Sequence, residues 1–168
     1  WVVSSQLISW QGGLALALSL IGIPNRLGED RANTQFALGS DDNQTIKDLL
    51  TQILKGILPS WAASTAYVLD DLVKPTNRNG YAYKCTTAGT SAASEPTWPT
   101  TIGNTVADNT ATWTCQGREL TVYESCPSWT PTFDSEDSLF DSVMPKESLS
   151  IGLNQDRLSA IKRLLSWT

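Results

Sequence analysis

The sequence of 168 residues contains no histidine. Without an imidazole the chain cannot form a Ser-His-Asp or Cys-His catalytic arrangement or a histidine zinc site, and it lacks the usual acid/base group near neutral pH. Any hydrolytic chemistry would have to rest on carboxylates alone. We therefore expect a protein that is not an enzyme and that needs neither a cofactor nor a metal ion.

Charged residues are also scarce, at 17% of the chain against about 25% in a typical globular domain. Twelve Lys and Arg face seventeen Asp and Glu, which gives a formal net charge of −5. This balance disfavours binding to a polyphosphate backbone. Nucleic acid is not an expected partner.

Long hydrophobic runs are absent, since the most apolar stretch, residues 14–23, is only about half as long as a membrane-spanning helix. We expect no membrane insertion. Leucines alternate there with small residues, which predicts a buried strand, with a short helix as the alternative. Because the sequence starts at Trp1 without a Met or a basic region, we expect a processed or truncated start.

The cysteines are three in number, Cys85, Cys115 and Cys126. An odd count is a poor disulfide framework, and the spacings match no standard metal ligand set. Two interpretations remain open. The thiols are ordinary small buried side chains, or Cys85 and Cys115 form a disulfide that leaves Cys126 free, which requires Cα atoms within roughly 7 Å.

Two amphipathic helices are predicted, one on each side of a central segment. Over residues 43–58, apolar side chains recur at spacings of three and four, with N-cap candidates at Asp41, Asp42 and Asn43 and a stop at Pro59. Residues 154–167 repeat the pattern. The apolar stripe is wider than a coiled-coil seam and favours packing into a bundle or onto a sheet.

The central segment has an all-β composition, with Ser or Thr at 16 of the 56 residues from 60 to 115. One predicted hairpin has its returning strand at residues 81–87, and a second runs over residues 105–115. Between them, the two prolines of residues 95–99 predict a rigid loop that carries Trp98.

We therefore predict an α+β fold that is mainly β, with a small antiparallel β module at about 60–115 flanked by amphipathic helices and extended arms. The proposed divisions are residues 1–59, with a strand and loop segment and the first helix, and residues 60–126, with the β module. Residues 127–168 would form an acidic extended arm and the second helix.

The β module carries a combination of short motifs that resembles a module seen in structural proteins of tailed bacteriophages. The resemblance covers about 55 of the 168 residues, roughly a third of the chain. The motifs are W-x5-Y at Trp61 and Tyr67, D-x-V at Asp71 and Val73, NGY-x-Y-x-C at 79–85, TAGTS at 87–91, EPTWP at 95–99 and D-x-T-x-TW at 108–113.

The same skeleton is similar, more distantly, to carbohydrate-binding modules of families five and twelve, which bind chitin through exposed aromatic side chains. Those modules usually carry adjacent aromatic residues just after the strand that contains Tyr83. This sequence has Thr86, Thr87 and Ala88 at those positions.

The aromatic residues of the module have two interpretations. A domain of this size needs large side chains in its core, which favours a core role for most of them. Trp98, held on its loop between prolines, either folds back onto the sheet or serves as a surface anchor for a partner or a sugar ring. Candidate ligand-binding residues are Trp98, Tyr81 and Tyr83.

The resemblance implies a non-enzymatic virion structural protein, such as a capsid decoration, neck, baseplate or fibre-attachment subunit, located in the virion. Its partners would be further copies of itself and other virion proteins, and a host surface glycan as a further candidate. The alternative is a carbohydrate-binding module, on a secreted protein, for a cell-surface or chitin-like glycan. The expected assembly interface consists of Ile46, Leu50, Ile53, Ile57, Trp129, Phe133, Phe140, Leu158, Ile161 and Leu165.

Overall fold

A computed structural model describes residues 2–10, 13–20, 23–124, 132 and 138–167, with side chains described from residue 25 onward. Helices combine with mostly antiparallel strands in small sheets, which confirms the predicted α+β class. The strands are β1 (Val2–Trp10), β2 (Gly13–Leu20), β3 (Phe36–Ala37), β4 (Ala66–Tyr67), β5 (Leu72–Val73), β6 (Tyr81–Thr87), β7 (Gly89–Thr90), β8 (Thr105–Asp108), β9 (Ala111–Arg118) and β10 (Ser150–Ile151). The helices are α1 (Ile23–Glu29), α2 (Ile46–Lys55), α3 (Leu139–Ser142) and α4 (Arg157–Leu165), with a 3₁₀ turn at Lys146–Ser148.

The first two strands form an antiparallel hairpin in which Leu7 lies opposite Leu16. Among the described strands, β1 and β2 pair only with each other. The strand expected within residues 14–23 is therefore confirmed over its first seven residues, whereas Ile23 already begins α1.

The β module is built on a four-stranded antiparallel sheet in the order β5-β6-β9-β8. The predicted strand at residues 81–87 is confirmed, and so is the second hairpin, whose turn places Asn109 at a φ of 55°. The first strand of the first hairpin, which the pattern of residues 69–74 predicts before a turn at 75–80, is shorter, Leu72–Val73. The sequence patterns also missed the short β4–β7 pair.

Buried aromatic side chains fill the module around a single carboxylate. Asp108 Oδ2 accepts hydrogen bonds from the indole nitrogens of Trp61, at 2.7 Å, and Trp113, at 2.9 Å. Its Oδ1 accepts from the backbone N–H of Ala92 at 2.8 Å. Trp113 and Tyr83 are fully buried. The expected core role of these aromatic residues is confirmed.

The flanks of the chain share a second core. Apolar side chains from α1, α2 and α4 meet there with Leu120, Val122 and Tyr123, which follow β9. We call this unit the flank lobe, to distinguish it from the β module. Residues before and after the β module thus bury their apolar surface against each other.

Helix α2 is shorter than its periodicity predicts. Its N-cap is Thr45, whose hydroxyl accepts a hydrogen bond from the N–H of Asp48 while the Asp48 carboxylate accepts from the N–H of Thr45. This reciprocal capping box satisfies two donors at the helix start. The helix ends at Gly56, with a φ of 72°, before Pro59 is reached.

The assembly interface predicted on α2 is wrong for most of its residues. Ile46 and Ile53 are 0% exposed and Leu50 is 3% exposed, because α4 and the chain after β9 cover the apolar stripe. Ile161 of α4 is also buried in this core. These side chains are not available to a neighbouring molecule.

The remaining interface residues divide into three groups. Phe140 and Leu158 are partly buried and pack against the same core. Ile57 and Leu165 stay exposed, at 47% and 42%. Outside the described residues lie Trp129, Phe133 and the third cysteine, Cys126.

A buried polar seam joins the flank lobe to the β module. Gln44, in the segment before α2, donates to the carbonyl of Arg118 in β9 at 2.8 Å. Asp42 accepts from the N–H of Arg118 at 3.1 Å. Within the flank lobe, Gln52 donates to Gln44 at 2.5 Å and accepts from the N–H of Leu120 at 2.9 Å, which holds Gln44 in position. Each of these amides and carboxylates has a partner, which compensates its burial.

One glycine is required at this seam. Gly117 has a φ of 119°, and a Cβ atom there would lie 2.2 Å from Asp42 Oδ1. Gly80 has a φ of 85° but no atom within 4 Å of such a Cβ. A side chain at Gly80 would therefore strain only the backbone, whereas one at Gly117 would also clash with Asp42.

We expect Ile53→Ala to lower the free energy of unfolding by about 3 kcal/mol, because it leaves a cavity in the flank lobe. Urea unfolding followed by circular dichroism measures the loss. Ile57→Ala, at an exposed position of the same segment, is the control and should change stability by less than about 0.5 kcal/mol. Equal effects of both substitutions would contradict the burial pattern.

Gly117→Ala should destabilise the protein more than Gly80→Ala. Both substitutions impose an unfavourable backbone conformation, costing about 1 kcal/mol, but only the first displaces Asp42 and its hydrogen bonds. We expect Gly117→Ala to lose additional unfolding free energy, on the order of 1–3 kcal/mol. The measurement is the difference between the urea midpoints of the two variants, provided that both unfold with the same m-value. Equal losses of stability in the two variants would show that displacing Asp42 costs no free energy, which would contradict this prediction.

Candidate functional site

The loop over residues 95–99 is irregular, as predicted, and a carboxylate fixes it to the first turn of the module. Glu95 Oε1 accepts hydrogen bonds from the indole nitrogen of Trp98 and from the N–H of Thr76, both at 2.8 Å. Pro96 and Pro99 add rigidity because each fixes its own φ. Trp98 is thus held by its neighbours in a single position.

Trp98 folds back onto the sheet, which settles the two interpretations of this residue. Its ring lies 4.4 Å from that of Tyr83 and 5.9 Å from that of Trp113, measured between centroids. The side chain is half-buried and still lines a surface cavity. Trp98 therefore supplies one wall of a groove and is not a projecting anchor.

Tyr83 is wrong as a ligand-binding candidate, because it is 0% exposed. Its hydroxyl donates to the carbonyl of Pro99 at 2.9 Å and accepts from the side chain of Asn79 at 2.7 Å. Burial raises the pKa of this phenol to about 12. Tyr83 positions the loop from beneath and stays neutral.

Tyr81 is partly exposed and lines two further cavities. The one on the side of Thr100 has a volume of about 570 Å³, and the other, beside Arg118, about 240 Å³. The cavity at Trp98, of about 460 Å³, also includes Thr100 in its lining. The three cavities therefore neighbour one another on the surface, and we call the region that they occupy the inter-lobe groove.

Both lobes supply the walls of the inter-lobe groove. The β module contributes Asn77, Asn79, Tyr81, Glu95, Pro96, Thr97, Trp98, Thr100, Thr101, Ile102 and Arg118. The flank lobe contributes Gly39, Ser40, Asp41, Asp42, Asn43 and Lys146. The motifs of the β module point to Tyr81 and Trp98, which line the groove on its side. No sequence pattern predicted that the segment before α2 lines the opposite side.

Cys85 and Cys115 are free and buried, which confirms the interpretation of these thiols as small buried side chains and makes the alternative of a disulfide between them wrong. Strand register explains this result. Cys85 lies opposite Trp113 and Cys115 lies opposite Tyr83, so the two cysteines are not a cross-strand pair. Burial raises the pKa of both thiols, which makes thiolate chemistry unfavourable.

The sequence patterns did not predict an ion pair in the flank lobe between a buried arginine, Arg157, and the partly exposed Asp30. Arg157 is 0% exposed, its guanidinium lies 2.6 Å from Asp30 and 5.1 Å from the centre of the Tyr123 ring, and it donates to the carbonyl of Leu54. These contacts connect α4 to α1 and α2. They give Arg157 a structural role that periodicity could not reveal.

Neither a metal site nor a membrane span emerges from the described part of the chain. No group of three or more Cys, Asp and Glu side chains is placed there to hold an ion. No helix among the described ranges is long and apolar enough to cross a bilayer.

Comparison with known proteins found no matching family model, no matching curated protein and no matching solved structure.

The buried thiols predict a loss of stability at alkaline pH. In the unfolded chain a thiol ionises near its ordinary pKa of about 8.5, whereas burial raises the pKa of Cys85 and Cys115 in the folded state. Deprotonation of the thiols then favours unfolding. The stabilising contribution of the two buried thiols is present below the pKa of the unfolded chain and is lost as pH rises through the pKa of the folded state.

The test compares melting temperatures between pH 7.5 and 10 in a Cys126→Ser background. The double substitution Cys85→Ala and Cys115→Ala should make the melting temperature fall less steeply with pH. The same slope in both proteins would contradict the pKa directions. Because only the slopes are compared, a lower starting stability of the double variant does not affect the conclusion.

Proposed function

We propose that the chain is a non-enzymatic structural protein of a tailed-phage virion and that it assembles with further copies of itself through the β1–β2 hairpin. The motif resemblance of the β module supports the virion assignment. The hairpin replaces the α2 stripe as the assembly element. The observation that carries the proposal is a long hairpin whose two strands pair only with each other among the described strands.

The hairpin has the properties of an assembly element. Its strands, of nine and eight residues, extend over about 27 Å at roughly 3.3 Å per residue. An isolated two-stranded hairpin is marginally stable in water, and each outer edge presents unpaired N–H and C=O groups to another strand. A second hairpin would satisfy those groups through main-chain hydrogen bonds.

Charge points to a second copy as the partner. Soluble proteins commonly protect an exposed edge with charged side chains, above all lysine. The first charged residue of this sequence is Arg26, beyond the hairpin. Two copies can therefore pair their hairpins without repulsion between like charges, and closed symmetry is the usual outcome for identical subunits.

The polar seam makes the rest of the chain suitable for surface display. Hydrogen bonds of Asp42 and Gln44 with the backbone of Arg118 hold the β module on the flank lobe, and an ion pair of 2.8 Å between Lys84 and Asp48 adds to them. An assembled hairpin would thus carry the flank lobe and the β module as one unit. Such a unit suits a capsid decoration, neck, baseplate or fibre-attachment subunit.

Light scattering coupled to size-exclusion chromatography tests assembly of the full chain. We expect a mass of at least twice the 18.3 kDa of one chain. In the double substitution Gln6→Lys and Ala17→Lys, two like charges lie directly opposite each other on β1 and β2. Their repulsion opposes the pairing of these strands and so removes the element through which the copies would assemble. This variant should be a monomer.

A charge-matched control is Ile57→Lys with Leu165→Lys, at two exposed positions of the flank lobe. It should keep the mass of the parent protein, and negative-stain electron microscopy of the parent should show rings or other closed particles. A monomeric parent at about 100 µM, where an assembly with a micromolar Kd would be mostly formed, would refute the proposal. Dissociation of the control alone would do the same.

A further inference from the structure

Lys84 of β6 lies between two carboxylates where the β module meets the flank lobe. Its Nζ is 2.8 Å from Oδ2 of Asp48 on α2 and 3.9 Å from Oδ1 of Asp70 in the turn before β5. The side chains of Lys84 and Asp48 are withdrawn from water, at 15% and 4% exposed, whereas that of Asp70 is 59% exposed. One amine therefore contacts a buried carboxylate and a solvated one.

The carboxyl group of Asp48 is placed as an electrophile. Asp48 lies in the first turn of α2, and its Oδ2 also accepts a hydrogen bond from the N–H of Thr45 at 3.0 Å. The start of a helix favours negative charge. An N–H that already points at a carboxyl oxygen stabilises the oxyanion that forms when a nucleophile adds to the neighbouring carbon. An amine that attacks Cγ of Asp48 would therefore meet a donor already in place.

The turn that contains Asp70 holds the second carboxylate beside the amine. Asp70 has a φ of 67°, in the left-handed region that side chains rarely adopt. Its N–H donates to the carbonyl of Cys85 at 3.0 Å, and the N–H of Cys85 donates to the carbonyl of Asp71 at 2.8 Å. These two bonds attach the turn to β6 directly after Lys84. Asp70 is thus positioned to accept a proton from Nζ.

Burial makes the charged pair of Lys84 and Asp48 costly. Removing an ammonium and a carboxylate from water costs free energy that their mutual attraction only partly returns. An amide between the same two groups carries no charge and avoids this cost. Since the fold already holds the amine against the carboxyl group, little further entropy is lost on the way to the transition state.

We propose that Lys84 and Asp48 condense to an isopeptide bond that links the two lobes covalently. Lys84 Nζ gives a proton to Asp70 and attacks Cγ of Asp48, so that the Nζ–Cγ bond forms. The Cγ–Oδ1 bond then breaks. Oδ1 leaves as water with the two protons that the ammonium group loses, one of them by way of Asp70. Oδ2 remains as the amide oxygen and keeps its hydrogen bond from Thr45.

The reaction is complete within one chain. It requires no oxidant, reductant or co-reactant, because the ammonium and carboxylate together contain every atom of the amide and of the released water. It also does not depend on assembly through the hairpin. The bond would make permanent a connection between the lobes that the hydrogen bonds of the seam only hold reversibly.

The intact mass of the full-length chain, measured under denaturing conditions, tests the bond. After incubation of the purified protein until its mass is constant, we expect a mass below that of its sequence by one water molecule. Trypsin should release residues 48–55 joined to residues 79–118, because the bond blocks cleavage after Lys84. Fragmentation of the joined peptides should assign the bond to Asp48 and Lys84.

Two variants test the assigned roles. Lys84→Arg keeps the positive charge but removes the amine, so it should retain the full mass of its sequence. Asp70→Asn should slow formation of the bond about a hundredfold, as for loss of a general base, measured as a time course of the mass after cell-free synthesis. The matched control is Lys47→Arg. Lys47 also pairs with a carboxylate, that of Asp141 at 3.2 Å, but outside this cluster, and the control should lose one water as the parent does.

The full sequence mass in the parent chain would overturn the proposal, and so would a loss of water that fragmentation assigns to other residues. This result does not depend on whether a variant folds. An unchanged rate in Asp70→Asn would refute the role of Asp70. The hairpin variant Gln6→Lys with Ala17→Lys should lose one water as the parent does, so failure of assembly and failure of the cross-link are distinguishable.

Discussion

The polar seam between the flank lobe and the β module is the constraint on which the rest of the structure depends. Gln44, in the segment before α2, donates to the carbonyl of Arg118 in β9, and Asp42 accepts from the N–H of the same residue. Buried amides and carboxylates are costly without partners, so the two lobes can separate only by leaving several such groups unpaired. Gly117 is needed because any side chain at that position would occupy the space of the Asp42 carboxylate. The inter-lobe groove exists because this seam holds its two walls together.

Two cores of different chemistry lie on either side of the seam. The flank lobe is aliphatic and is built from segments far apart in the sequence, and the buried Arg157 is paired there with the partly exposed Asp30. The β module is aromatic and is organised by Asp108, which accepts hydrogen bonds from two tryptophans. Because the flank lobe buries the helical stripe inside the chain, the helices contribute to stability. The β1–β2 hairpin is then the element through which we propose that copies of the chain assemble.

Local patterns predicted much of the fold and only part of the candidate site. Periodicity located α2 and α4 to within a few residues, and turn residues located β6 and the β8–β9 hairpin. The loop of Trp98 was predicted from its prolines, but its ring packing on Tyr83 depends on a contact between separate segments. Tyr83 and Tyr81 are only two residues apart in the sequence. A bulge beside Ala82 and the cover provided by the loop bury Tyr83 completely and leave Tyr81 partly exposed.

The sequence by itself determined the class of fold, the absence of histidine chemistry and the local elements, because these follow from composition and from spacings of two to four residues. Tertiary structure alone decided which apolar faces are internal, that Cys85 and Cys115 are not paired and which residues before α2 meet the β module. These outcomes depend on contacts between distant segments, such as Gln44 with Arg118. An amphipathic stripe has the same spacing whether it is covered by its own chain or by another, since periodicity records that a face is buried and not what buries it.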